Sequence, residues 1–393
     1  MNELSQLLAL PETEKLKRGL VHTPAEIAQQ PHTWISTFEL FGKKQNEIRE
    51  FLAASGISGK RASDTTVFLV GAGTSDYTGH ALVFLLRRMW QCEVMAVPST
   101  DLLTHMDELM LPRRKYLWIS FSRSGDSPEG VAVLAQAIER HPGIRHIAVS
   151  CNADGRMIRD NRDHGQVLPM LLSDAVNDRG LAMTSSFSNM VIFGQCMAHA
   201  YDLARYENIV AKLSAAGRDF LPRAADCAAA LAKMEFKKAF FVGSGPLRAV
   251  AKESALKVLE LTAGKTLTMS ESALGLRHGP MAALDAQSLF VCFLSGEPRV
   301  QQYERDLLRE IGAKKIARSR VVVSGTEFTP DSFAENYLAP ANVAGIADEY
   351  RAPVDVMFGQ LLGLFCSIRW NLQPDSPSPD GVISRVVQNV SIH

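Results

Sequence analysis

The chain has 393 residues, 46% of them hydrophobic and 21% charged, and its 42 lysines and arginines balance 42 aspartates and glutamates. That length fits two or three domains and buries a substantial core without disulfides. A formal net charge of zero argues against nucleic acid or a membrane surface as a general partner, which would select a basic face, and leaves room for one small anion in a local pocket.

The N-terminus, MNELSQLLALPETEK, has no cationic leader and no long apolar core. No secretory signal is expected there, and a cytoplasmic location is. The longest apolar runs, such as 181–183 and 190–193, are too short to span a bilayer. Six scattered cysteines (Cys92, Cys151, Cys196, Cys227, Cys292 and Cys366) form no C-x-x-C pair and are expected as free thiols.

The first 60 or so residues read as helical. Thr23, Pro24 and Glu26 make a helix start of the capping-box kind, and the helix is expected to run to about Ala54 and stop near Gly56. From residue 65 the rhythm changes. Apolar runs at 66–70, 94–97, 116–121, 146–149 and 167–172 alternate with helical stretches. Runs apolar on both faces indicate parallel strands covered by helices on both sides. Pro169 in the last run predicts an edge strand.

A largely helical stretch, 186–234, leads to a second copy of the pattern. Phe68-Leu69-Val70-Gly71-Ala72-Gly73 matches Phe240-Phe241-Val242-Gly243-Ser244-Gly245 at a shift of 172 residues, and Ser124-Gly125-Asp126 matches Ser295-Gly296-Glu297 at 171. Two landmarks at nearly one offset predict tandem α/β domains. The expected division is a helical segment 1–60, a first domain 61–205, a second domain with its helical linker 206–372, and a tail 373–393 that docks near the active site.

Three segments carry chemistry. Gly71 to Asp76 forms a glycine-rich strand-to-helix turn, a place where backbone N–H groups favour an anion. Asp76 stands where a dinucleotide fingerprint needs glycine and no G-K-[ST] follows, so a plain tight turn is an equal reading. The segment 120–129 again ends a strand and opens a helix. Ser122, Ser124 and Ser127 offer hydroxyls beside free N–H groups, with Arg123 as added charge, which suits a phosphate monoester; a serine-rich helix cap is the alternative. Glu253, Lys257 and Glu260 share one helix face, either as an ordinary exposed pair or, with His278 nearby in the loop 277–280, as groups able to open a sugar ring and move a proton between adjacent carbons. No metal-ligand pattern appears among the ten histidines.

These residues resemble the sugar isomerase (SIS) family, over about 60–393. The resemblance extends to the isomerase half of glucosamine-6-phosphate synthase and, more closely, to the AgaS branch, described as galactosamine-6-phosphate deaminase/isomerase or tagatose-6-phosphate ketose/aldose isomerase. The AgaS-like stretches are 71–75, 97–102, 120–125, 178–186, 253–264, 277–280 and 385–387. The resemblance implies an α/β fold of two tandem SIS domains, each a parallel sheet sandwiched by helices. It puts the substrate phosphate on Ser122, Ser124 and Ser127, with Gly73, Thr74 and Ser75 lining the pocket. Glu260 becomes the base, helped by Lys257, and His278 the ring opener, reaching in from the other subunit of a homodimer or larger assembly. Arg385 stands where the synthase has a tail lysine, and a guanidinium forms no Schiff base at ordinary pH. No glutaminase domain precedes these motifs, so ammonia release is easier to argue than incorporation. The implied reaction converts galactosamine 6-phosphate to tagatose 6-phosphate and ammonia without a cofactor. A plain aldose–ketose isomerase and a non-catalytic sugar-phosphate sensor are the alternatives; the first 60 residues make no convincing helix-turn-helix for a regulator.

Overall fold

Runs of three to eight residues, most of them apolar, form the strands of two parallel sheets in the computed structural model of the chain. The structure describes residues 1–59, 63–325, 334–340, 345–378, 380–387 and 390–393. Pro379, Gln388 and Asn389 of the expected tail lie outside them.

Two short helices, α1 (Glu3–Leu8) and α2 (Glu12–Arg18), precede the long α3 (Thr23–Ala54). The first sheet follows as β1 (Thr65–Gly71), α4 (Thr74–Trp90), β2 (Val94–Pro98), α5 (Ser99–Leu109), β3 (Lys115–Ser122), α6 (Pro128–Arg140), β4 (Arg145–Ser150), α7 (Arg156–Arg159) and β5 (Val167–Leu171). Helices α8 (Ser185–Ala198) and α9 (Leu203–Ala232) come next. The second sheet is built from β6 (Lys238–Gly243), α10 (Leu247–Leu261), β7 (Leu267–Glu271), β8 (Ser288–Leu294), α11 (Pro298–Lys314), β9 (Ser319–Ser324), β10 (Asn336–Leu338) and α12 (Ala352–Arg369).

The strand orders are β2-β1-β3-β4-β5 and β10-β9-β8-β6-β7, all parallel. Read from the other edge, the second order repeats the first strand for strand, so the duplication seen in the sequence is a duplication of topology. Each of the five apolar runs of the first half is a strand, and β5, with Pro169 opposite Ala148, is an edge.

The chain forms two compact units. One comprises Thr33–Asp178, Ser185–Val210 and Ile383–His393; the other comprises Met1–His32, Arg179–Thr184 and Ala211–Val382. In the first, every residue of α8 is buried, and its polar side chains are met within the core. Trp34 Nε1 donates to Ser188 Oγ at 2.9 Å, and Asn189 accepts from Thr37 Oγ1 and donates to Thr33 Oγ1. Satisfying buried polar groups in this way avoids a penalty of about 1–3 kcal/mol for each.

In the second unit α10 lies on α12. Gly359 and Gly363 of α12 permit the approach: a Cβ on Gly359 would stand 2.4 Å from Ser254 Cβ, and one on Gly363 would stand 2.9 Å from the Lys257 carbonyl. The start of α3 differs from the capping box expected of Thr23 and Glu26. Glu26 Oε1 instead accepts from the N–H groups of Arg179 at 2.5 Å and Gly180 at 3.3 Å. The free N–H groups of Val21, His22 and Thr23 are taken by the carboxylate of Asp375 at 2.8, 3.0 and 2.7 Å. A cap supplied from so far along the chain leaves no local signal. Among the described residues no helix is long and apolar enough to cross a membrane.

Candidate active site

Two strand-to-helix turns stand side by side in the first unit, because β1 and β3 are neighbours with Val70 opposite Ser120. The carboxyl ends of adjacent parallel strands are where open α/β sheets bind ligands. After β1 the chain turns through Gly71 and Gly73. A Cβ on Gly71 would lie 2.4 Å from the backbone of Ser75, and Gly73 has φ 57°. Glycine is therefore required twice within three residues. Thr74 and Ser75 occupy the first turn of α4, both buried.

After β3, Gly125 takes φ 66° and lets the loop curl onto Ser150 and Gly155. Ser122 Oγ accepts from Gly125 N at 3.0 Å and Ser124 Oγ from Asp126 N at 3.1 Å. These bonds use the hydroxyls as acceptors, so each O–H remains a donor in kind. Ser127 sits at the cap position of α6, followed by Pro128, yet its side chain makes no capping bond. The helix-cap alternative thus accounts for the position of Ser127 and not for its hydroxyl.

The tail segment reaches this loop. Arg123 Nη2 donates to the carbonyl of Arg385 at 2.6 Å. The Arg385 guanidinium in turn donates to the carbonyl of Asp178 at 2.8 Å and to Asn177 Oδ1 at 2.7 Å. The Asp178 carboxylate accepts from Ser185 N and Ser186 N, both at 2.9 Å, and caps α8. Asn177 and Asp178 were not singled out as site residues from sequence. A signal was present, since an aspartate stands seven residues before a Ser-Ser pair that opens a helix.

In the second unit, α10 presents a row of charges. Lys257 Nζ lies 3.3 Å from Glu253 Oε1 and 2.7 Å from Glu260 Oε2. The side chains of Glu253 and Lys257 are fully buried, while that of Glu260 is 25% exposed. The exposed-pair alternative for this row is thereby removed. Burial pushes the Lys257 ammonium down, but the carboxylates on either side outweigh it and hold its pKa above the ordinary lysine value. His278 follows a single 3-10 turn, Gly275–Arg277, and is exposed. Gly279 after it has φ 123°, and Arg277 Nε is held by Glu310 Oε2 at 2.7 Å. Among the described residues no hydrogen bond or ion pair joins His278 to Glu260. No cluster of three or more histidine, cysteine, aspartate or glutamate side chains there suits a metal ion.

The first unit therefore gathers Gly73, Thr74, Ser75, Ser122, Arg123, Ser124, Ser127 and Arg385, and the second holds Lys257, Glu260 and His278. No family model matches the chain. A Streptomyces coelicolor protein assigned to AgaS is 36% identical over 385 residues, covering 98% of both chains. The D-galactosamine-6-phosphate deaminase AgaS of Escherichia coli is 32% identical over 382 residues, covering 94% of this chain and 95% of its own. The chain belongs to the AgaS family. A crystal structure of tagatose-6-phosphate ketose/aldose isomerase from Escherichia coli superposes with a TM-score of 0.84 at 29% identity, covering 94% of this chain and 96% of that one. The two α/β halves are the tandem SIS domains of this family, and the chain has a sugar-phosphate isomerase or deaminase role.

Proposed function

We propose that this AgaS-family chain converts galactosamine 6-phosphate and water into tagatose 6-phosphate and ammonia. The observation that carries the reading is the buried row Glu253, Lys257, Glu260, in which only Glu260 is open to solvent. Lys257 donates to Glu260 Oε2, which leaves Oε1 to take up a proton. A base held at one oxygen and presented at the other suits proton transfer between adjacent carbons.

In this reading the phosphate is held by the hydroxyls of Ser122, Ser124 and Ser127 and by the N–H groups of both turns. His278 opens the sugar ring and exposes the C1 aldehyde. Glu260 removes the C2 proton to give an enolamine and returns a proton at C1, leaving an imine at C2. Water adds to the imine carbon, and the C–N bond breaks to give ketose and ammonia. The aldehyde itself acidifies the adjacent C–H. Arg385, tied to Asn177 and Asp178, holds the tail beside the phosphate loop and positions it. His278 serves the site of a second copy, which makes the active unit at least a homodimer.

The isomerase name of the superposed E. coli structure favours a second reading, in which the same base interconverts aldose and ketose phosphates with no imine. Ammonia and ketose measured separately decide between them. The purified protein should release one ammonia per ketose phosphate from galactosamine 6-phosphate, with deuterium at C1 in heavy water, and leave the N-acetylated sugar untouched. Ketose from galactose 6-phosphate, with no ammonia from the amino sugar, would establish the isomerase instead.

A further inference from the structure

The repeat places two loops at equivalent points, one after β3 and one after β8. The donors of the second loop face carboxylates of the same chain. Gly296 N donates to Asp348 Oδ1 at 2.9 Å, and Ser295 Oγ donates to Asp348 Oδ2 at 2.5 Å. Ser295 N donates to Glu304 Oε2 at 2.7 Å. Arg351 Nη1 donates to Asp348 Oδ1 at 2.8 Å and to the carbonyl of Leu294 at 2.9 Å. Ser295, Glu304, Asp348 and Arg351 are all buried, and the Nε of Arg351 has no acceptor among the described residues.

A backbone N–H at a helix start, a hydroxyl and a guanidinium are the donors a phosphate monoester takes. Here the two oxygens of one carboxylate occupy all three. The sequence shows the same substitution. Six residues past its opening proline α6 carries the buried Leu134, whereas α11 carries Glu304 at that place. An apolar position of the first half has become an acid that accepts from the loop of the second.

We propose that the second SIS domain keeps an oxyanion cradle whose ligand is the chain's own Asp348 carboxylate, so that each chain binds one phosphate ester rather than two. Arg351 Nη2 also lies 2.7 Å from the buried Asp355 Oδ2, so removing Asp348 would leave the guanidinium with one carboxylate instead of two and the two loop donors without their acceptor, a cost that an external phosphate can relieve. The inference borrows from the proposed function only the assignment of the loop after β3 to phosphate.

Two measurements test it without an activity assay. Titration of the full chain with inorganic phosphate should give one site per chain, and Ser124→Ala should weaken that site about 10-fold or more without uncovering another. In the Ser124→Ala background, Asp348→Ala should melt at lower temperature in phosphate-free buffer, and phosphate should recover at least half of that loss while leaving the parent nearly unmoved. Two phosphate sites per wild-type chain would overturn the proposal, as would a melting temperature that phosphate raises no more in Asp348→Ala than in its parent. Should Asp348→Ala not fold, Asp348→Asn, which keeps the shape and loses the charge, takes its place under the same criteria. Failure of ammonia release would leave these outcomes unaffected.

Discussion

Lys257 has no solvent contact and stands between two carboxylates, so it is fixed in place by charges it cannot leave. That fixity makes Glu260 a residue whose role can be separated from its fold. Glu260→Gln still offers a carbonyl oxygen to Lys257 and keeps helix propensity, and it should lower kcat at least about 10²-fold with an unchanged urea midpoint. Near-normal turnover would remove Glu260 as the base. Ser124→Ala should act differently, raising KM by about 10- to 150-fold, the worth of one hydrogen bond to a charged group, with kcat nearly kept. Phosphate competing equally against mutant and wild type would reduce Ser124 to a turn acceptor. His146 bears on pH instead. It is fully buried in β4 in T-shaped contact with Trp118, neither ring nitrogen has a hydrogen-bond partner among the described residues, and burial pushes its pKa down to about 3. The unfolded chain binds a proton there near pH 6.5 and the folded chain does not, so this residue makes stability fall as pH drops from about 6.5 toward 3, by at most about 1.4 kcal/mol per unit. Glu304, pushed up to about 7 by its burial, has the opposite slope between its ordinary value and 7. Denaturant titrations of wild type and His146→Leu should therefore diverge in pH dependence below pH 6.5. Parallel curves would show that His146 keeps its proton in the fold.

At the scale of elements, the contact of α10 with α12 connects packing to chemistry. A methyl on Gly363 would press on the carbonyl of Lys257, one turn before Glu260. Gly363→Ala should cost about 1–3 kcal/mol, as overpacking does, and should also lower kcat, because the turn that must yield carries the charged row. Lost stability with full turnover would mean that α12 yields instead. The strands and the long helix were legible because each is a local pattern: apolar runs for β1 to β5, proline at an edge for β5, and α3 ending at Ala54. Glu253, Lys257 and Glu260 were legible for the same reason, being spaced along one helix. The caps were not. Glu26 was expected to serve its own helix and binds 179–180, while Asp375 takes its place. The hold of Asn177 and Asp178 on Arg385 joins segments more than 200 residues apart, and no periodicity reports a pairing at that distance.

For the whole molecule, sharing of sites between copies can be tested by mixing. Glu260→Gln and His278→Ala chains should each be inactive alone, and subunit exchange should restore part of the activity through a hybrid site that has both intact residues. No recovery after demonstrated exchange would place both residues in one copy. The two units differ in how the chain returns to them. The unit that holds Glu260 begins with Met1–His32 and is completed by residues up to Val382. Asp375, which accepts from the N–H groups at the start of α3, lies 352 residues beyond Thr23. At roughly 5–20 residues per second of synthesis, that start remains without its carboxylate for roughly 20–70 s on the ribosome. A nascent chain stalled short of Asp375 thus exposes an unfinished helix end at Val21 to Thr23, open to chaperones and proteases until Asp375 is made.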